Sequence, residues 1–247
     1  MIGLLPFHWW GGPTFMRIFV INLESSTDRR EFILRNLCRL GVEFTFLQGI
    51  DARRGEHLKV SRYDLRSAIR EFKRPLSPGE IGCFASHYLL WQECIIEKEP
   101  VVIIEDDVLI ADEFPRALSA ARQLIDKLGL IRLGVTHNAD KNNPAGALQG
   151  FEIVQYLRNQ VLGTQGYVLS RAAAEKLVAH ASGWWLPVDL YMHRAEEHGV
   201  DSYGLHPLSV MHADQNAYPS VIGMDRFDGF RITEQLTKFL AARNRVS

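Results

Sequence analysis

The chain has 247 residues, 47% of them hydrophobic and 23% charged, with a formal net charge of −1, enough for a sizeable buried core in one or two globular domains. That balance and a sequence pI of about 6.8 remove the bulk electrostatic argument for nucleic-acid binding, so any basic surface must be local. Three cysteines, Cys38, Cys83 and Cys94, form no C-x-x-C pair, which argues against a disulfide framework or a cysteine zinc site and for a reducing, cytoplasmic setting.

Residues 1–16 are apolar and aromatic, with Phe7, Trp9 and Trp10, but Pro6, Gly11, Gly12 and Pro13 interrupt them. They lack the basic start and small-residue cleavage site of a signal peptide. The expectation is a disordered extension ahead of a second start at Met16, with an interfacial role for the aromatic residues as the alternative. Residues 17–247 are expected to form a single domain, and no run approaches the roughly 20 apolar residues of a membrane-spanning helix.

Ile18-Phe19-Val20-Ile21 opens that domain as a strand. A helix follows from Asp28 to Leu40, where Asp28 and Glu31 suggest a capping box, Phe32, Leu34, Leu37 and Leu40 give an apolar stripe, and Gly41 ends it. Glu43 to Leu47 alternates like a strand. Arg62, Arg66, Arg70 and Arg74, with Lys73, recur at four-residue intervals and would align as a ridge on a helix over 61–73. A solvated face explains such a ridge; a surface for an anionic lipid-linked acceptor or for peripheral membrane contact is the functional alternative.

Ser77-Pro78-Gly79-Glu80 starts a long helix reaching about Lys98, and Val101-Val102-Ile103-Ile104 comes directly after Pro100. Four β-branched apolar residues in a row indicate a strand covered on both faces. A helix over Asp112–Leu128, strands at Leu130–Val135 and Gly166–Leu169, and helices over Arg171–Ala181 and Pro187–His198 continue the alternation. The turn-rich run His137 to Pro144 predicts a surface loop, and a strand near Tyr203–Met211 and a helix from Thr233 close the chain. The expected fold is α/β, a mostly parallel central sheet with helices on its faces.

Glu105-Asp106-Asp107 stands at the carboxyl end of the most apolar strand, where open α/β sheets bind ligands. Because a strand alternates its side chains, Glu105 and Asp107 are expected to leave one side about 6.6 Å apart with Asp106 opposite. At an effective dielectric of ~20 their repulsion is on the order of 2 kcal/mol, so a cation is expected nearby. The next basic residue along the chain is Arg116. Oxygen-only ligands favour Mg²⁺ or Mn²⁺, which would stabilise a departing diphosphate. The plain alternative is a solvated strand exit with Asp107 or Asp112 capping the next helix. The acidic pocket of a receiver domain is a rival that the two preceding α/β units disfavour.

Several segments together resemble glycosyltransferase family 25, the lipopolysaccharide and lipooligosaccharide glycosyltransferases that include collagen galactosyltransferases. They are Val20-Ile21-Asn22-Leu23 with Asp28-Arg29-Arg30, Leu76 to Cys83 leading to Ser86-His87, Ile104 to Val108, Gly163 to Arg171, and Pro187-Val188-Asp189. The resemblance covers about Arg17 to Ile222 and implies a GT-A-type, Rossmann-like nucleotide-sugar fold. It also implies an inverting transfer of galactose or glucose from a UDP-sugar to a saccharide or lipid-linked saccharide acceptor. Gln165 departs from the small residue common at that position in the family.

On that resemblance Asp189 is the expected general base, an N-terminal helix acid being the structural alternative. Asn22, Arg29, Arg30, Ser86 and His87 are expected to contact the donor together with Glu105, Asp106 and Asp107. Glu105 and Asp107 are the expected metal ligands, with His212 preferred over His206 as the third. Trp184 and Trp185 are candidates for stacking on an acceptor sugar, core packing being the alternative. The competing functional class is a degenerate sugar-nucleotide-binding protein without transfer activity.

Overall fold

The computed structural model describes residues 16–56, 62–136, 142–157 and 163–213; the expectations for residues 1–15 and for a helix from Thr233 lie outside them. In chain order the elements are β1 (Arg17–Asn22), α1 (Thr27–Arg39), β2 (Thr45–Gln48), α2 (Leu65–Glu71), α3 (Pro78–Glu97), β3 (Val101–Glu105), β4 (Val108–Ile110), α4 (Phe114–Leu128) and β5 (Leu130–Gly134). After these come β6 (Asn142–Leu148), β7 (Phe151–Tyr156), β8 (Gly166–Leu169), α5 (Arg171–His180), α6 (Val188–Met192), α7 (Ala195–His198), β9 (Ser202–His206) and β10 (Val210–His212).

Successive side chains of a strand leave opposite faces, and here they enter different cores. Val101 and Ile103 join Phe19, Tyr167 and Leu169 under α3, α5 and α6. Their neighbours Val102 and Ile104 join Ile18, Val20 and Val168 under α1 and α4. The result is the expected α/β sandwich with helices on both faces of one sheet. Trp184 belongs to the first core, stacked on Phe84 with ring centroids 4.0 Å apart, so it is packing and not a sugar platform. Trp185 lies half-buried beside it under the Arg194 guanidinium.

The eight-stranded sheet has the order β2-β1-β3-β8-β5-β9-β7-β6. β2, β1 and β3 are mutually parallel, as are β5 and β9, while β8 and β7 run antiparallel to both their neighbours. The carboxyl ends of β1 and β3 therefore meet the start of β8, with Ile21 opposite Glu105 and Ile104 opposite Gly166. That edge positions the acidic triplet.

The structure corrects several sequence expectations. Part of the predicted loop before Gly150 is the edge strand β6, hairpinned to β7; it tolerates Pro144 because an edge strand can leave one side unpaired, and its register shifts between Pro144 and Gly146. The late strand is two, β9 and β10, the second forming a small antiparallel ribbon with β4. The helix from Pro187 is likewise two, broken between Met192 and Ala195. Helix α1 starts after Ser26 with no side-chain cap, so the Asp28–Glu31 box does not form. The complete box is at Ser77 and Glu80, where each side chain accepts from the other's backbone N–H.

The basic ridge is also interrupted. Only Arg66 and Arg70 lie within α2, whose cap is Asp64. Arg74 turns inward to a two-pronged ion pair with Glu80 (2.8 and 2.7 Å), leaving Arg62, Arg66, Arg70 and Lys73 exposed. No helix among the described residues is long and apolar enough to cross a membrane.

His198 gives this fold a pH dependence. Its Nδ1 accepts from the Val200 N–H at 3.2 Å and its Nε2 faces the Tyr191 carbonyl at 3.2 Å, so the proton sits on Nε2 and the ring is neutral. Burial, helped by His180 and opposed by the Tyr191 carbonyl, Glu197 and Glu196, leaves its pKa at about 4. The unfolded histidine titrates near 6.5, so the unfolded chain binds the extra proton first. The contribution is complete above about pH 6.5 and is lost as pH falls toward about 4, a swing on the order of a few kcal/mol. Denaturant midpoints of wild type and His198→Gln between pH 7 and 4 are expected to converge at the acid end, with the variant's slope flatter.

Candidate functional site

The site grows from the end of β3. Burying Val101 to Ile104 contributes roughly 1.5–3 kcal/mol per side chain, more than the repulsion expected among the acids that follow, so the strand holds them in place. Strand β3 ends at Glu105 and β4 begins at Val108, so strand alternation does not govern the triplet. Contrary to the expectation of opposite sides, Asp106 and Asp107 share one guanidinium. Arg29 Nη1 donates to Asp106 at 2.8 Å and Nη2 to Asp107 at 3.0 Å. Counter-charge thus comes from α1; Arg116, the next basic residue along the chain, has its guanidinium over the Phe151 ring.

Asn22, at the end of β1, donates to Asp106 at 2.7 Å and to the Ser26 carbonyl at 3.1 Å. Arg30 donates to Asn22 Oδ1 at 3.3 Å and stacks 3.7 Å over Phe46. Asn22, Arg29 and Arg30 therefore converge on the triplet from one side, with Arg30 one step removed. Burial raises the Asp106 carboxyl above its usual range against the pull of Arg29 and Asn22. Burial, then the charge of Glu105, pushes Asp107 up to about 7. Its Oδ1 is buried and without a hydrogen-bond partner.

Glu105 is treated differently. Burial opposes its charge, but hydrogen bonds with His87 and Thr164 and the nearby His212 hold its pKa below the usual carboxylate value. His87 is fully buried on α3. Its Nε2 lies 3.3 Å from Glu105 Oε1 and its Nδ1 2.8 Å from the Tyr167 hydroxyl, which accepts from Trp91 Nε1 at 2.8 Å. Because the Glu105 carboxylate accepts and Trp91 donates, every group is satisfied when the Tyr167 hydroxyl donates to His87 Nδ1 and the imidazole proton is on Nε2, facing Glu105.

Ser86 lines the same cleft, but its hydroxyl accepts from the Ile50 N–H and donates to the Gly82 carbonyl, both at 2.8 Å. It fastens the loop after β2 to α3. Gly82 makes that contact possible, since a Cβ there would lie 2.2 Å from the Ile50 carbonyl oxygen. Leu23, Ile50, Gly82 and Cys83 complete the cleft above the triplet. Cys83 shares it with His87 and Glu105, their ligand atoms all lying within 4.8 Å of one another. Burial, then the charges of Glu105, Asp189 and Asp107, raises the Cys83 thiol well above its usual pKa.

Asp189 sits in the first turn of α6, its Oδ1 accepting from the Leu190 N–H at 2.8 Å. Burial raises its pKa, and the charge of Glu105 adds to this. The Gly163 backbone amide also favours its charged form, while the Gly163 carbonyl accepts from Arg132 at 2.5 Å. Gly163 can serve both because its φ is +96 and the Thr136 and Gln165 side chains fill the space where a Cβ would go. The loop 163–165 thus touches both Asp189 and, through Thr164, Glu105.

His212 is brought beside the triplet, paired opposite Val108 in the small ribbon, and the Ala213 N–H donates to the Asp107 carbonyl at 3.0 Å. Its Nε2, however, contacts Thr136 at 3.1 Å and the Gln165 amide. His206 is held elsewhere, 2.8 Å from the Tyr156 hydroxyl. Sequence reasoning missed Arg132, Thr164, Tyr167 and Cys83. Arg132 lies in the middle of a buried strand, where a charge demands partners, and this was the available signal. Its Nε donates to Ser202 at 3.0 Å, and Nη2 is buried without a partner.

Comparison with known proteins shows the family. The family described as Glycosyltransferase family 25 (LPS biosynthesis protein) matches residues 15–192. The chain is 34% identical over 188 residues to human "Procollagen galactosyltransferase 2", covering 72% of this chain and 30% of that protein. It is 34% identical over 192 residues to "Lipooligosaccharide biosynthesis protein lic2B" of Haemophilus influenzae, covering 70% and 68%. It is 32% identical over 189 residues to mouse "Inactive glycosyltransferase 25 family member 3", covering 72% and 31%. The chain therefore spans about a third of the animal relatives.

Gly82 tests how tightly the cleft is built. Gly82→Ala is expected to push α3 from the Ile50 loop and to cost about 1–3 kcal/mol, the usual range for overpacking, measured as a lowered denaturant midpoint.

Proposed function

Because the chain belongs to glycosyltransferase family 25, we propose that it transfers a hexose, galactose or glucose, from a UDP-sugar to a saccharide acceptor with inversion, in the synthesis of lipopolysaccharide, lipooligosaccharide or another cell-surface glycan. The observation that carries this reading is the buried triplet with one unpartnered carboxylate oxygen, Asp107 Oδ1, joined through the loop 163–165 to a second raised carboxyl, Asp189.

Inverting transfer is a single displacement at the anomeric carbon. It needs a base for the acceptor hydroxyl and charge compensation for the departing diphosphate. Asp189 is the proposed base; the Leu190 amide holds one of its carboxylate oxygens, and burial raises its pKa. Arg29, already on the triplet, supplies positive charge where the diphosphate would lie. The oxygen donors of Glu105 and Asp107, with the orphaned Oδ1, fit Mg²⁺ or Mn²⁺, and His212 could complete the set by leaving Thr136 and Gln165. Such an ion supplies Lewis-acid stabilisation of the leaving diphosphate.

The degenerate alternative is a binding protein without turnover. The mouse relative named inactive matches nearly as well as the others, so overall similarity does not separate the two. Incubation with a panel of UDP-sugars, with and without Mn²⁺, does: consumption of one donor supports transfer, and binding without turnover of any donor supports the alternative.

Asp189→Asn is expected to lower kcat by about 10²–10⁴-fold, the usual contribution of a positioned base. Since the base must be deprotonated and its pKa is raised, kcat/KM should climb with pH through an acid limb above the ordinary aspartate value near 3.9. A limb at or below that value, or full activity in the variant, removes Asp189 from this role.

A cytoplasmic enzyme peripheral to the membrane, acting on a lipid-linked acceptor, is the accompanying proposal, supported by the exposed Arg62, Arg66, Arg70 and Lys73. At ~1 kcal/mol per basic residue near an anionic surface, replacing Arg66 and Arg70 with Gln should sharply reduce sedimentation with anionic liposomes. Salt-insensitive binding unchanged in the variant would discard it.

A further inference from the structure

We propose that Cys83, His87 and Glu105 form a three-ligand site for a thiophilic divalent cation, zinc by its chemistry, with the fourth coordination position open to the cleft. Cys83 and His87 stand one turn apart on α3, and Glu105 reaches them from the end of β3. Their ligand atoms lie within 4.8 Å of one another. The separation of His87 Nε2 and Glu105 Oε1 is 3.3 Å. Two ligands each ~2.0 Å from a tetrahedral ion stand about 3.3 Å apart, so this pair already spans one edge of the tetrahedron. A thiolate at ~2.3 Å would need to stand roughly 3.5 Å from both, and its sulfur already lies within 4.8 Å of each.

Beyond the three ligands, His87 Nδ1 faces the Tyr167 hydroxyl, itself held by Trp91. Metal-bound imidazoles use such a partner to fix the ring and its tautomer. On binding, the His87 proton moves from Nε2 to Nδ1, and the Tyr167 hydroxyl, the donor to Nδ1 in the metal-free chain, turns to accept from it instead. Cys83 loses its proton to solvent, and bonds form from sulfur, nitrogen and oxygen to the ion, so one proton is released per zinc. Asp107, Asp189 and Glu80 contribute further negative charge around the thiol. A sulfur ligand disfavours Mg²⁺, so this site is chemically distinct from the oxygen site of the preceding subsection. The two share Glu105, which makes them mutually exclusive: zinc here withdraws a carboxylate from the donor's metal.

The test uses the full chain without donor, so its result is independent of whether transfer occurs. Zinc affinity is measured by competition with a chromophoric chelator, and Co²⁺ is used as the spectroscopic probe. One ion per chain is expected, with a thiolate-to-cobalt charge-transfer band and the intense visible absorption of a tetrahedral centre. Cys83→Ser and Cys83→Ala should each abolish the charge-transfer band and weaken zinc binding by more than about tenfold, with Cys38→Ser unchanged as the control. Tyr167→Phe should weaken it about 10–100-fold, the usual effect of losing a ligand's outer partner. Circular dichroism of the metal-free variants confirms that they are folded. Absence of binding to the wild type overturns the proposal, as does a charge-transfer band that survives both Cys83 variants, or affinity unchanged in them.

Discussion

A guanidinium from the first helix holds two buried carboxylates at the end of the third strand, and much of the surrounding architecture answers to that contact. Leaving a buried charge uncompensated typically costs about 3–5 kcal/mol, so Arg29 must reach Asp106 and Asp107. It can do so because β1 lies beside β3 in parallel, which brings Asn22 and the start of α1 to the same edge. The third carboxylate is served from elsewhere: His87 from α3 and Thr164 from the loop leading into antiparallel β8. Three acids adjacent in sequence are thus divided between two sets of partners, Arg29 for Asp106 and Asp107 and His87 with Thr164 for Glu105, and their protonation diverges. Glu105 is held charged while Asp107 is pushed up to about 7.

What was legible in the sequence follows from the range of each interaction. Strand β3 was plain because four consecutive β-branched residues leave no other placement than between two covered faces. Helix α3 was equally plain, since its start carries Ser77, Pro78 and Glu80, a local signal completed within one turn. Strand β6 was hidden because its exposed edge position removes the apolar pattern, and Pro144 and Gly146 are turn residues in most other contexts. The break after Met192 was hidden as well, since no proline or glycine marks it.

The site divides in the same way. That Glu105, Asp106 and Asp107 stand at a strand end could be argued from their neighbours alone. Their partners could not, because Arg29 lies 77 residues from Asp106 and Thr164 lies 59 from Glu105. Charge reasoning demanded a cation and took a divalent metal for it; only the family resemblance put Arg29 in the same site as the triplet, and its ion pair with Asp106 and Asp107 could not be read from either. Cys83 was passed over because its companions are a histidine one turn away and a glutamate on another element, a grouping that cysteine spacing does not reveal.

One chain of contacts crosses from the interior to the cleft: Trp91 to Tyr167, Tyr167 to His87, His87 to Glu105. Its first two members are among the largest fully buried side chains of the molecule, surrounded by apolar residues that would ordinarily be interchangeable at constant volume. Here they are not, because replacing the indole by another ring of similar size frees the phenol, and the freed phenol no longer dictates which nitrogen of the imidazole carries its proton. Evolutionary drift in this part of the interior is therefore constrained by chemistry at the surface. A substitution that calorimetry would score as neutral can still change the protonation of a carboxylate three residues down the chain of contacts.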